Sequence, residues 1–268
     1  MDDISKYLVG NVLYGDDFTP SEIEGWFRDE QEGYAGLGAA DAVSYQYVYH
    51  ALNTYHGYRH LHGLHFKRAL GFGSAYGDEL LPIVDNVEAV TIVDPSEAFV
   101  RPEIYGKPVT YVRPRPDGTL PFPSESFDLI TCLGVLHHVP NVSMVLSELA
   151  RTLAVSGVML LREPIISLGD WRFPRRGLTK HERGIPLDLL LAMIRDSHLE
   201  VVHQALCVFP VTTRLFKLFS GSPYNKKLMV LVDALVSSAF EWNVNYHPQN
   251  FYQRFRPTSA FFVLRRIC

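Results

Sequence analysis

The chain is short of cysteine, of basic charge and of long apolar runs, and each shortage argues against a class of protein. Its three cysteines, Cys132, Cys207 and Cys268, are far apart and form no Cys-x-x-Cys pair. That speaks against a disulfide framework and a cysteine-built zinc site, and it favours a reducing compartment. The formal net charge is −4, so no basic excess is present to track a phosphate backbone, and DNA is not an expected partner. The late apolar segment Leu228 to Phe240 is interrupted by Asp233 and is too short to span a bilayer. The first residues, Met1-Asp2-Asp3-Ile4-Ser5-Lys6, are acidic and lack the apolar core of a secretory signal. No internal repeat or low-complexity tract is visible. A cytoplasmic protein without a membrane partner is the expectation, and a homodimer is compatible with it.

What is present begins at Ala69 to Gly77, reading ALGFGSAYG. An apolar strand here breaks into a loop carrying Gly71, Gly73 and Gly77, and Asp78 to Ile83 can open a helix. Glycines let a backbone approach a ligand closely, and a helix N-terminus offers unpaired N–H groups. One strand further on, Val90-Thr91-Ile92-Val93 ends at Asp94, where a carboxylate can accept hydrogen bonds from both hydroxyls of a ribose.

Residues 1–62 read as a separate helical cap, crowded with tyrosines. Thr19-Pro20-Ser21-Glu22 is a helix start, with Thr19 as N-cap and Glu22 as the third helical residue. A second helix is expected over about 40–55. From residue 63 strands and helices alternate, which predicts an α/β fold with a doubly wound, mostly parallel sheet. Strands are expected near 66–70, ending at Gly71–Gly73, and near 89–93, 108–112, 127–133, 157–161, 200–208 and 259–264. Substrate-side insertions fall at about 164–186 and 210–257. Ligands of such sheets bind beyond the C-terminal strand ends, at the switch point.

At the fourth strand the pattern becomes specific. Leu120-Pro121-Phe122 leads to Phe127-Asp128, then to Val135-Leu136-His137-His138-Val139-Pro140-Asn141. Glu148-Leu149-Ala150-Arg151-Thr152-Leu153 follows before Ser156-Gly157. This series resembles the class I S-adenosylmethionine-dependent methyltransferases, in their small-molecule branch. The resemblance implies a Rossmann-like, seven-stranded sheet in the order 3-2-1-4-5-7-6, its last strand antiparallel, with S-adenosyl-L-methionine as cofactor. By position it implies that Gly73, Ala75 and Gly77 pass under the methionine part and ribose, and that Asp94 holds the ribose. Leu120 then falls near the adenine, Asp117 is the nearest acid to the adenine amine, and Leu133 and Gly134 end the strand beside the sulfonium. Two departures stand out. The family keeps an acid where this chain has Gly71, and that acid helps to hold the methionine ammonium. The second loop glycine is Ala75.

Methyl transfer depends on alignment and on removing a proton from the acceptor. His137 and His138 follow the fourth strand where the methyl group should point, and a neutral imidazole can take that proton. Glu163, ending the fifth strand, is placed to orient a histidine. The resemblance favours His138, and some sugar and natural-product O-methyltransferases of this type use a histidine from the same segment. The expected reaction is methylation of a hydroxyl, or less readily an amine, of a small metabolite such as a sugar or natural-product intermediate. The histidines at 50, 56, 60, 62 and 65 lack an acid or cysteine to complete a metal site, so no metal is expected. Tyr14, Trp26, Tyr34, Tyr45 and Tyr49 are candidates for a lid over the site. The arginines of Trp171-Arg172-Phe173-Pro174-Arg175-Arg176, with Lys180 and Arg183, are candidates for binding an anionic substrate group. Two other readings are open. Gly71, Gly73 and Gly77 also fit a nicotinamide-dependent oxidoreductase, although no Tyr-x-x-x-Lys pair is evident. A non-catalytic binding protein on the same fold is the other.

Overall fold

The computed structural model describes residues 4–38, 46–216 and 222–267. Its centre is one eight-stranded sheet in the order β3-β4-β2-β1-β5-β6-β8-β7. The strands are β1 (Phe66–Phe72), β2 (Val87–Val93), β3 (Glu103–Ile104), β4 (Lys107–Val112), β5 (Phe127–Leu133), β6 (Leu153–Pro164), β7 (Leu199–Cys207) and β8 (Ser259–Arg266). β1 pairs in parallel with β2 on one side and β5 on the other, so the switch point lies at its C-terminal end. β8 runs antiparallel between β6 and β7. Seven strands therefore follow the expected order. The eighth, β3, is a two-residue strand folded back antiparallel on β4 at the sheet edge. It is too short to carry a periodic signal.

The helices are α1 (Ser5–Leu8), α2 (Pro20–Gly38), α3 (His50–His56), α4 (Val142–Thr152), α5 (Leu187–Asp196), α6 (Pro210–Phe216) and α7 (Lys227–Ala239). Strand residues alternate between two buried clusters. Leu70, Phe72, Ile130, Cys132 and Leu161 pack with Leu146 and Leu149 of α4 and Leu190 of α5. Ala69, Leu129, Leu133 and Leu160 pack on the other face with Leu52 of α3 and Val230 of α7. A sheet covered on both faces gives the near-continuous apolar strands read in the sequence.

Two expected elements differ. No α-helix follows the glycine loop. Residues 78–80 and 84–86 form short 3-10 turns instead. Pro82 lies between them and has no N–H for a helical ladder. The helix expected over 40–55 begins only at His50, with residues 46–49 irregular, and residues 40–45 lie outside the described residues. At α2 Glu22 closes one half of the capping box read at Thr19. Glu22 Oε2 accepts from Thr19 N at 2.8 Å and from Thr19 Oγ1 at 2.6 Å.

Candidate active site

Two adjoining cavities open at the C-terminal ends of β1, β2, β5 and β6. The narrower, about 110 Å³, is lined by Gly73, Ala75, Asp94, Leu120, His138 and Trp26, among others. The wider, about 450 Å³, shares Gly73 and Ala75 and adds Glu79, Gly134, His137, Arg162 and Glu163. Leu133 and Tyr49 also border it.

The loop between them is built by three backbone constraints. Gly73 and Gly77 have φ of 66° and 77°, the left-handed region. Ala75 also has a positive φ, 47°, so the methyl group at this position is carried in a conformation alanine disfavours. Asp94 holds the strain: its Oδ2 accepts from Ala75 N and its Oδ1 from Ser96 N, each at 3.0 Å. Burial pushes the Asp94 carboxyl above its ordinary pKa, against these two backbone hydrogen bonds. Gly71 and Gly77 border neither cavity. A Cβ at Gly77 would meet Ile104 at 2.8 Å, which makes it a packing glycine.

The Leu-Pro-Phe segment is clamped by α4. Leu120 N donates to Glu148 Oε2 at 2.9 Å, and Arg151 donates to the carbonyls of Leu120 and Phe122 at 3.2 and 2.9 Å. Arg151 is itself paired with Glu148 at 2.7 Å. This is the physical content of the Glu-x-x-Arg spacing: it seats Leu120 in the wall of the narrower cavity. Asp117 stands outside both cavities, its Oδ1 taken by Thr119 N and Oγ1 at 2.9 and 2.8 Å.

The paired histidines sit on a 3-10 turn, Leu136–His138, just past β5. Glu163, wholly buried at the end of β6, organises that turn. Its Oε1 accepts from Val135 N and Leu136 N at 2.9 and 2.8 Å, and its Oε2 lies 2.8 Å from His137 Nδ1. Burial lowers the His137 pKa, reinforced by the positive charges of Arg183 and Arg162. Burial also raises that of Glu163 to about 7, opposed by the backbone N–H groups. On its other side His137 Nε2 lies 3.6 Å from Glu182 Oε1. His138 faces the narrower cavity. Its Nδ1 is 3.2 Å from Glu30 Oε2 and 3.4 Å from Thr179 Oγ1, and burial lowers its pKa.

The cap and the insertion after β6 close over this turn. Trp26 Nε1 donates to His138 O at 2.7 Å, and its ring stacks on His181 at 4.6 Å between centroids. Arg183 is fully buried and donates to the carbonyls of Tyr14, Leu136 and Val139. Most of the insertion's cations are thus engaged within the protein, while Arg176 is exposed. Arg172 pairs with Asp170, Lys180 with Asp29, and Arg175 donates to the carbonyls of residues 168, 179, 180 and 182. Of the proposed cap residues, Trp26 and Tyr49 reach a cavity, while Tyr14 stacks on Trp171 at 4.7 Å. The Tyr45 position and the Tyr34 side chain lie outside the described residues. The sequence reading missed Glu30, Glu79, Arg162 and Glu182. Glu79 follows the glycine loop but reads there as part of a helix start, Arg162 directly precedes Glu163, and Glu30 and Glu182 carry no motif.

Residues 70–161 match the family model described as "Methyltransferase domain". No curated protein matches the chain. Among solved structures, the N-methyltransferase NodS from Bradyrhizobium japonicum WM9, determined with S-adenosyl-L-homocysteine, is 10% identical. It superposes with a TM-score of 0.56 over 89% of this chain and 98% of its own. An S-adenosylmethionine-dependent methyltransferase from Mesorhizobium loti is 17% identical, with a TM-score of 0.51 over 76% and 92%. The [4+2]-cyclase SpnF is 16% identical, with a TM-score of 0.56 over 91% and 95%. Residues 70–161 are thus similar to a methyltransferase domain, and the solved structures share the fold of this chain.

Proposed function

We propose that the protein methylates a hydroxyl group of a small metabolite, such as a sugar or natural-product intermediate, with His137 as general base. The observation that carries this reading is the 2.8 Å contact between His137 Nδ1 and the buried Glu163, inside the wider cavity. The donors around Glu163 favour its carboxylate form, so Nδ1 carries the proton and Nε2 presents a lone pair. S-adenosylmethionine, when bound, supplies an electrophilic methyl group. His137 Nε2 takes the proton from the acceptor hydroxyl as its oxygen forms the new bond to carbon. Glu163 stabilises the imidazolium that results, and the electron pair of the broken bond stays on sulfur.

The narrower cavity suits the adenosine end of the cofactor. Asp94 stands ready for the ribose and Leu120 for the adenine. The cap, residues 1–62, acts as a lid that keeps water from the reacting atoms. A wider cavity of about 450 Å³ suits a small acceptor rather than a macromolecule. Among the described residues no helix is long and apolar enough to cross a membrane, in keeping with a cytoplasmic enzyme. Turnover assays with a panel of hydroxylated acceptors test the reading. It is abandoned if His137→Asn methylates the accepted substrate at the wild-type rate.

A second reading rests on one observation. His137, His138 and Glu182 each bring a ligand atom to within 4.8 Å of the others. A divalent cation there would acidify the acceptor hydroxyl directly. Chelation separates the two readings. The base reading expects turnover unchanged by a chelator, whereas loss with recovery on adding a divalent cation selects the metal.

A further inference from the structure

Glu79 takes no part in the proton transfer, yet it faces the wider cavity. It is 4% exposed. Two hydroxyls, Ser74 Oγ at 2.7 Å and Thr131 Oγ1 at 2.6 Å, both donate to its Oε1. Its Oε2 receives no hydrogen bond from the described residues. Burial pushes its pKa up, and Arg162, too far away to form an ion pair with it, pulls the other way. A buried carboxylate with one oxygen held and no cation in contact is costly unless a ligand supplies the charge.

Its placement answers the departure at Gly71. A Cβ built on Gly71 would lie 2.4 Å from Ser74 Oγ and 2.9 Å from Ser74 Cβ. A side chain at 71 and the side chain of Ser74 therefore compete for one space. Ser74 fills it, and its hydroxyl hands its hydrogen to Glu79. The second donor, Thr131, is the β5 partner of Gly71 in the sheet register. Gly77, at a φ of 77°, turns the chain into the 3-10 turn that carries Glu79 back beneath the loop. Both groups that grip the carboxylate thus belong to the immediate surroundings of position 71.

We propose that Glu79 binds the ammonium group of the cofactor's amino-acid end, in place of the carboxylate absent at position 71. The chemistry selected is an α-amino acid zwitterion. The ammonium meets Oε2 of Glu79, and the carboxylate is turned toward Arg162, the opposite charge lining the same cavity. The inference rests on S-adenosylmethionine as cofactor and is independent of the acceptor and of the base.

Calorimetric titration tests it with two ligands. S-adenosylhomocysteine carries the amino-acid end, and 5′-methylthioadenosine lacks it. Glu79→Gln is expected to weaken S-adenosylhomocysteine by about ten- to a hundredfold, the range of one charge-assisted hydrogen bond, and to leave methylthioadenosine unchanged. Retained methylthioadenosine binding also reports that the variant is folded. Ser74→Gly combined with Gly71→Asp and Glu79→Gln returns the carboxylate to β1, and it is expected to recover part of the loss. Equal loss of both ligands in Glu79→Gln, or loss of neither, overturns the assignment. A wild-type protein that binds methylthioadenosine but gains nothing from the amino-acid end also overturns it. Binding of neither ligand to the wild type would instead overturn the cofactor reading, and the inference with it.

Discussion

Glu163 Oε2 and His137 Nδ1 lie 2.8 Å apart at the ends of neighbouring strands, both side chains buried. The pair joins β6 to the turn after β5 and fixes which imidazole nitrogen faces the cavity. If His137 is the base, His137→Asn lowers kcat by about 10²-fold or more while the affinity for S-adenosylhomocysteine stays near wild type. His138→Asn, placed against Glu30 on the adenosine side, is expected to change cofactor affinity more than kcat. Steady-state kinetics and titration on both variants check the division.

The raised pKa of Glu163 sets a pH dependence. Only the ionised carboxylate accepts the Nδ1 proton and leaves Nε2 free. Burial places its titration at about 7, so kcat should rise as pH increases through about 7 and fall as pH drops below it. Glu163→Gln should be slow throughout and should lose that limb of the profile. A pH–rate series on both proteins reads it.

Asp94 carries two duties, and one substitution separates them from charge alone. In Asp94→Asn, whichever way the amide turns, its NH₂ faces the N–H of either Ala75 or Ser96. One buried donor then loses its acceptor, at a cost of about 1–3 kcal/mol, and the loop releases Ala75 from its positive φ. Thermal unfolding should show that loss without ligand, and titration should show weaker S-adenosylhomocysteine binding.

Arg183→Met keeps much of the side-chain volume and removes the guanidinium. The backbone carbonyls of Tyr14 and Val139 would be stranded in the interior, and that of Leu136 would keep only the N–H of Val139. A loss of about 2–6 kcal/mol in unfolding free energy is expected, about 1–3 kcal/mol for each of the two carbonyls left without a donor. Denaturant titration measures it.

Much of the fold was legible because the chain writes it locally. Apolar runs ending at Phe72, Val93 and Leu133 mark strands, and Gly73 and Asp94 sit where those strands stop. The seven-strand order was implied by the family resemblance that the motif series carries. What was illegible depends on contacts made across the sequence. Thr131 and Glu79 meet over 52 positions, and nothing near either announces the other. Arg183 and Arg175 read as cations for an anionic substrate group, because their carbonyl partners come together only when the insertion folds onto the turn. The missing helix after the loop was announced by Pro82, outweighed by the acidic residues Asp78 and Glu79, which suit a helix start. Ala75 could be identified by position, but its left-handed backbone could not.

The contacts of α2 bear on how such an enzyme could change its acceptor. Trp26 and Glu30 touch His138, while Asp29 and Glu30 hold residues 180 and 181 of the insertion. The covering segment and the insertion are therefore one packed unit, keyed to one histidine turn. A relative could not trade the cap alone: a transplanted helix would bring no partner for Lys180 or His181. New acceptor preference would have to be acquired by exchanging both pieces together, or by changing only the walls that neither piece supplies.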